Sequence, residues 1–310
     1  MMTEEGDFFM FIHIRLKTAV SLLCAGVLVL LTAVSLPAAL RGKADETPRR
    51  PADGASEQAA EGTPVDVPIL MYHSVCVNDR VRSDYYITPE KFEGDLQYLK
   101  HNGYTAVFIS ELADYAEGKG ELPEKPVALT FDDGYYNWLT DVLPLLERYD
   151  MKGTFNVVGA YAEKEAQAEV RSPAYSYLTW EEIKTLAESG RAEIGSHTWD
   201  MHELGARRGC KKMKGEAAGH YAEALTEDLS RLQTALKENC DISPATFAYP
   251  YGEISKESVP VLQKLGFRAA LTCDERVNKL VRDPSVLFSL GRVNRASRWS
   301  TEAFMGKYGL

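Results

Sequence analysis

The chain has 310 residues, 45% of them hydrophobic and 26% charged, and carries a formal net charge of −10. An acidic balance of this size argues against a nucleic-acid partner. The cysteines include no CxxC pair, which speaks against a structural zinc site.

In chain order, residues 18–40 come first as an uncharged run rich in Leu, Val and Ala, long enough to span a bilayer. Arg15 and Lys17 precede it, so the positive-inside rule leaves residues 1–17 in the cytoplasm. Arg41 and Lys43 follow it and weaken that asymmetry. A cleaved signal peptide, with small residues near Ser35 and Ala39, is the alternative. The first reading gives a single-pass membrane protein and the second a secreted one; both put the domain outside the cytoplasm. Residues 41–64 lack large apolar side chains and read as a disordered tether. Residues 65–310 suit one domain.

Within that domain a strand is expected at 67–72. Thr88 and Pro89 then start a helix with Phe92, Leu96 and Leu99 on one face, ended by Gly103. A strand at 104–109 leads to a short helix capped by Ser110. The apolar stretch Val127–Phe131 reads as a buried strand, and Trp138, Val142, Leu145 and Leu146 mark a helix. A strand at 153–158 follows. Thr179 and Glu182 form a capping box opening a helix that runs to Gly190. A strand is expected at 192–196, a long helix at 218–238, a strand at 245–249, a helix at 255–265, and strands at 267–272 and 287–292. The alternation implies an α/β fold with a parallel sheet of about seven strands. Cys24 lies in the apolar run. Cys76, Cys210, Cys240 and Cys273 lie in the domain, and their pairing is left open. The basic run from Arg207 to Lys214 reads as a solvated loop, or as a contact for an anionic polymer.

Chemistry enters where the strand 127–131 ends in Asp132, Asp133 and Gly134. Two adjacent carboxylates at the C-terminal rim of a parallel sheet stand where such folds keep their active sites. They repel each other, and a metal ion would hold them ionised. His197 and His202 are five residues apart. On a helix they would point about 140° apart, so they fit a strand end and the loop beyond it instead. One Asp and two His make a facial set with open positions, as catalytic zinc and related metals require. The run Phe247–Gly252 ends a further strand in a turn whose backbone N–H can face the site. Tyr135 and Trp199 lie near these motifs and are candidates to stack on sugar rings.

Taken together, Thr130–Gly134, His197–His202 and Pro250–Gly252 resemble the polysaccharide deacetylases, the NodB-like domain of carbohydrate esterase family 4. The run Pro68–Ser74 resembles the opening strand of the subgroup acting on poly-N-acetylglucosamine. The resemblance spans roughly residues 65–295. It implies an irregular, incomplete (β/α) barrel. It also implies that Asp132 is the general base and that Asp133, His197 and His202 hold a divalent metal. Zinc is the first choice, with iron, cobalt or nickel compatible. The Tyr251 N–H would stabilise the oxyanion, and Pro250, Tyr135 and Trp199 would line the substrate groove. The implied reaction removes N-acetyl groups from an extracellular N-acetylhexosamine polysaccharide. An O-acetyl polysaccharide esterase and a non-catalytic glycan-binding protein are the alternatives. Oligomeric state is left open.

Two departures matter. Ala248 stands where the family has an arginine that contacts the base, and Arg292 on the late strand is expected to replace it. The family's late histidine, its general acid, is also missing, since no histidine follows His220. Elimination leaves His73, at the end of the first core strand, as the candidate acid.

Overall fold

The computed structural model describes residues 63–77 and 83–310. The apolar run at 18–40 lies outside these residues, as does the tether except for Thr63 and Pro64. Among the described residues no helix is long and apolar enough to cross a membrane.

The domain begins with β1 (Val65–Val67) and β2 (Ile69–Tyr72), split by Pro68, which has no N–H to give to a ladder. Two short strands, β3 (Ser74–Val75) and β4 (Tyr86–Ile87), pair beside them, and α1 (Pro89–His101) follows. Thr88 caps α1 and Pro89 fills its first position, as expected. Next come β5 (Thr105–Ala106), α2 (Ile109–Ala116) and β6 (Pro126–Asp133). A π-helical turn (Trp138–Val142) runs into α3 (Leu143–Tyr149), followed by β7 (Gly153–Val157) and α4 (Gly159–Glu165). The capping box of Thr179 and Glu182 opens α5 (Trp180–Glu188). Then come β8 (Ala192–Ser196), α6 (Ala218–Cys240), β9 (Thr246–Ala248), α7 (Ser258–Lys264) and β10 (Ala269–Leu271). The chain closes with β11 (Asn278–Leu280), β12 (Val293–Asn294) and α8 (Thr301–Tyr308).

One sheet organises all of this, in the order β10-β9-β8-β7-β6-β2-β12, with β5 pairing on β6. Its neighbours are all parallel. The sheet curls until its two ends meet at a single bridge between Leu271 and Leu290. This is the incomplete barrel expected from the sequence. The run from Pro126 to Asp132 is buried, as befits a strand covered on both faces.

Two local expectations fail. Ser110 does not cap α2 but lies in its first turn. The exposed amides there are taken by Glu111 on Phe108 (2.7 Å), Thr154 on Ile109 (3.2 Å) and Glu193 on Ser110 (3.2 Å). The last two come from barrel strands, so tertiary contacts supply the cap. The late strand at 287–292 is also absent. Asp283 accepts from the Ser285 amide at 2.8 Å and starts a 3₁₀ helix, Pro284–Ser289, leaving only Val293–Asn294 extended. The four cysteines of the domain are all free thiols.

Candidate active site

The site forms at the C-terminal rim. β6 delivers Asp132 and Asp133, β8 ends one residue before His197, and the loop beyond carries His202. His197 Nε2 lies 3.6 Å and His202 Nε2 3.1 Å from Asp133 Oδ1. The ligand atoms of all three residues fall within 4.8 Å of one another. The rear nitrogens are engaged elsewhere: His197 Nδ1 is 2.8 Å from the Ala248 carbonyl and His202 Nδ1 3.1 Å from the Tyr161 hydroxyl. Both Nε2 atoms therefore face the carboxylate, and this donor set fits a divalent ion with positions to spare.

Asp132 points into the barrel. Arg292, fully buried, meets it with Nη1 at 2.8 Å from Oδ1 and Nη2 at 2.7 Å from Oδ2. The guanidinium is steered by the Thr272 carbonyl, 3.0 Å from Nε. Asn156, in register on β7, donates to Asp132 Oδ1 at 2.8 Å. The next position in register is Gly195 on β8, where a Cβ would come within 2.1 Å of Asn156 Oδ1. The glycine leaves the room that the Asn156 side chain occupies.

Burial alone would raise the Asp132 carboxyl, but Arg292 and then His197 outweigh it and hold it well below the usual range. Asp133 is also lowered: burial opposes ionisation, and the His202 hydrogen bond overcomes it. Burial pushes His197 down to about 4. His202, likewise disfavoured by burial, is raised on balance by its bond to Asp133.

Backbone strain gathers at the same place. Five non-glycine residues among those described have positive φ: Asp133, Asp150, Thr198, Asp241 and Tyr251. Asp150 and Asp241 are helix C-caps. The other three are a proposed ligand, the residue after His197, and the residue whose N–H was expected to face the site. Such conformations cost on the order of 1–3 kcal/mol each and persist where surroundings impose them.

A cavity of about 580 Å³ opens over these groups and is lined by His73, Tyr135 and Tyr251 among others. His73 directly follows β2, its ring 4.7 Å from that of Tyr85, and its buried Nδ1 has no hydrogen-bond partner among the described residues. Burial lowers its pKa, so the ring rests neutral. Tyr251 is the second residue of a 3₁₀ turn, where a helix leaves its N–H without an internal partner. Cys273 and Glu275 line the cavity without any sequence signal for it.

Two expected groove residues lie elsewhere. Trp199 is buried, stacked on Trp180 at 6.2 Å and under the Arg231 guanidinium at 4.0 Å. Its amide and that of Asp200 donate to Asp228 of α6, which ties the histidine loop down. Pro250 is buried against Gly209 and does not line the cavity. The basic run is largely self-neutralised: Arg207 pairs with Glu216 (2.6 Å), and Arg208 and Lys211 pair with Glu253 (2.9 and 2.6 Å).

Comparison with known proteins agrees with this geometry. Residues 119–270 match the family model for polysaccharide deacetylases. Over these residues the chain is similar to the polysaccharide deacetylase family. It is 28% identical over 226 residues to the poly-β-1,6-N-acetyl-D-glucosamine N-deacetylase of Escherichia coli K12, covering 67% of this chain and 33% of that protein. It is 25% identical over 193 residues to the Staphylococcus aureus protein of the same name, covering 62% of this chain and 63% of that one. The chain thus spans a third of the length of the first relative and under two thirds of the second. The solved structure of IcaB from Ammonifex degensii superposes with a TM-score of 0.61 at 29% identity, over 75% of this chain and 91% of that one.

Proposed function

We propose that the protein is a metal-dependent N-deacetylase of an N-acetylhexosamine polysaccharide outside the cytoplasm. The observation that carries the proposal is the meeting of Asp133, His197 and His202 beside an Asp132 kept ionised by Arg292. The names of the E. coli and S. aureus relatives support the polymer class. The apolar run at 18–40 supports either membrane anchoring or secretion.

Asp133, His197 and His202 would hold the ion. A divalent ion there supplies a Lewis acid for the acetyl carbonyl and acidifies a water, which a base as weak as the low-lying Asp132 needs. Asp132 accepts the water's proton as its oxygen bonds to the carbonyl carbon. The Tyr251 N–H donates to the oxygen that gains charge. The amide nitrogen must take a proton before the C–N bond breaks, because an amide anion is a very poor leaving group. In this reading His73, neutral at rest, takes up a proton from solvent through the cavity it lines and gives it to the nitrogen, and acetate and a free amine result.

The test is acetate release from an oligomer of β-1,6-linked N-acetylglucosamine, before and after treatment with a chelator. Release that the chelator stops and added metal restores is expected. Release from O-acetylated xylan alone would make the protein an esterase. No release from either, despite bound metal, would leave a glycan-binding protein.

A further inference from the structure

We infer that Tyr161 is a positioning residue that sets the metal affinity of the site by fixing the ring of His202. The inference rests on the metal-site reading above.

The two histidines differ in what their rear nitrogen meets. His197 Nδ1 faces the Ala248 carbonyl, a backbone group locked in β9, at 2.8 Å. His202 Nδ1 faces the hydroxyl of Tyr161 at 3.1 Å, with the Tyr251 hydroxyl farther off at 3.4 Å. A neutral imidazole that offers Nε2 to a metal carries its proton on Nδ1 and must give it to an acceptor. For His197 the acceptor is part of the sheet. For His202, six residues past the end of β8, it is a side chain brought by another element.

That element is built against the loop it serves. α4 carries Tyr161 in its first turn, and its leading amides, Gly159 and Ala160, donate to the carbonyls of Thr198 and Trp199 at 3.1 and 2.8 Å. A Cβ at Gly159 would come within 2.4 Å of the Trp199 ring, so the close approach needs a glycine. The orphan amides of α4 are thus satisfied by the histidine loop itself. The Tyr161 ring also leans on Tyr177, centroids 4.4 Å apart, and Tyr177 stacks on Tyr135 of the cavity wall at 5.3 Å. The phenol cannot swing away without disturbing the wall.

The test compares Tyr161→Phe, Tyr177→Phe and wild type after metal removal. Zinc affinity is read by competition with a chromophoric chelator, and the ligand field from the visible spectrum of the cobalt-loaded proteins. Outer partners of metal-bound histidines are typically worth about 10–100-fold in affinity. Tyr161→Phe should lose affinity by that order, alter the cobalt spectrum, and regain near-wild-type kcat when metal is saturating. Tyr177→Phe keeps the ring contacts, removes a hydroxyl without a role here, and should bind zinc as wild type does. Melting of the metal-free proteins, expected to be alike, separates lost affinity from lost fold. Unchanged zinc affinity in Tyr161→Phe overturns the inference, as does an equal loss in Tyr177→Phe or a kcat that saturating metal does not restore. Wild type that binds no zinc would instead sink the metal reading on which it rests.

Discussion

Replacing Arg292 with Gln tests the charge balance beneath the site. The guanidinium is fully buried and meets both oxygens of a carboxylate only 2% exposed. After the substitution Asp132 keeps the Asn156 amide, 2.8 Å away, but loses the guanidinium that faced both its oxygens. Breaking a buried pair from one side costs about 3–5 kcal/mol, because the remaining charge stays desolvated. For a domain of this size each kcal/mol moves the melting temperature by about 2–4 °C, so a fall of roughly 6–20 °C is expected. The carboxyl can escape part of that cost by taking up a proton. The acid limb of the activity–pH profile should therefore move to higher pH, since Arg292 is the main group opposing the effect of burial. The double variant Asp132→Asn/Arg292→Gln removes both charges and should recover much of the stability, though none of the activity. Calorimetry on wild type and the two variants, with pH profiles on wild type and Arg292→Gln, checks this. A single Arg292→Gln variant that melts like wild type and keeps its acid limb would refute the reasoning.

Asp132→Asn should abolish acetate release while metal content, measured by atomic absorption, stays at the wild-type level; loss of metal would mean that the two aspartates have exchanged roles. His73→Ala should lose activity on an N-acetyl oligomer far more than on a nitrophenyl acetate, whose leaving group needs no acid; equal losses would make His73 structural. The metal-free protein should weaken as pH falls from 6.5 towards 4, because His197 titrates near 4 when folded against a reference of 6.5. In that window the unfolded chain binds the extra proton, so stability rises with pH, by about 3 kcal/mol in all at about 1.4 kcal/mol per unit. Denaturant titrations of wild type and His197→Gln should diverge by that order across the window, and parallel slopes would exclude it.

Much of the site was legible because its chemistry is local in sequence. Asp132 and Asp133 end an apolar strand, and the five-residue spacing of the histidines excluded a helix. The Thr179–Glu182 box named its helix start outright. What was hidden depends on neighbours far along the chain. Trp199 lies two residues from His197 and looked like a groove residue, but Asp228 and Arg231 of α6 draw it into the core. Tyr161, Asn156 and Gly195 carry no motif; they matter through sheet register and through a helix docked on a loop. The late strand was misread because apolar content at 287–292 outweighed the Asp283–Pro284–Ser285 start of a 3₁₀ helix. Arg292 still reaches Asp132, because the residue ahead of a two-residue strand suffices to aim it inward.

The barrel's seam has a consequence for how the last strand finds its place. β12 offers only two residues to β2, and the link back to β10 is one bridge. So few backbone bonds specify alignment weakly. The information is carried instead by two arginines three positions apart, an odd separation that sends them to opposite faces of an extended chain. Arg292 enters the barrel to Asp132. Arg295 turns outward to Asp95 of α1, Nε to Oδ2 at 2.7 Å, where Tyr72 and Thr301 complete the shell. A slip by one residue would exchange the faces and bury two guanidinium groups and two carboxylates unmatched. The closing strand is positioned like a key with two teeth, and the tooth that fits the barrel is the one that keeps Asp132 charged.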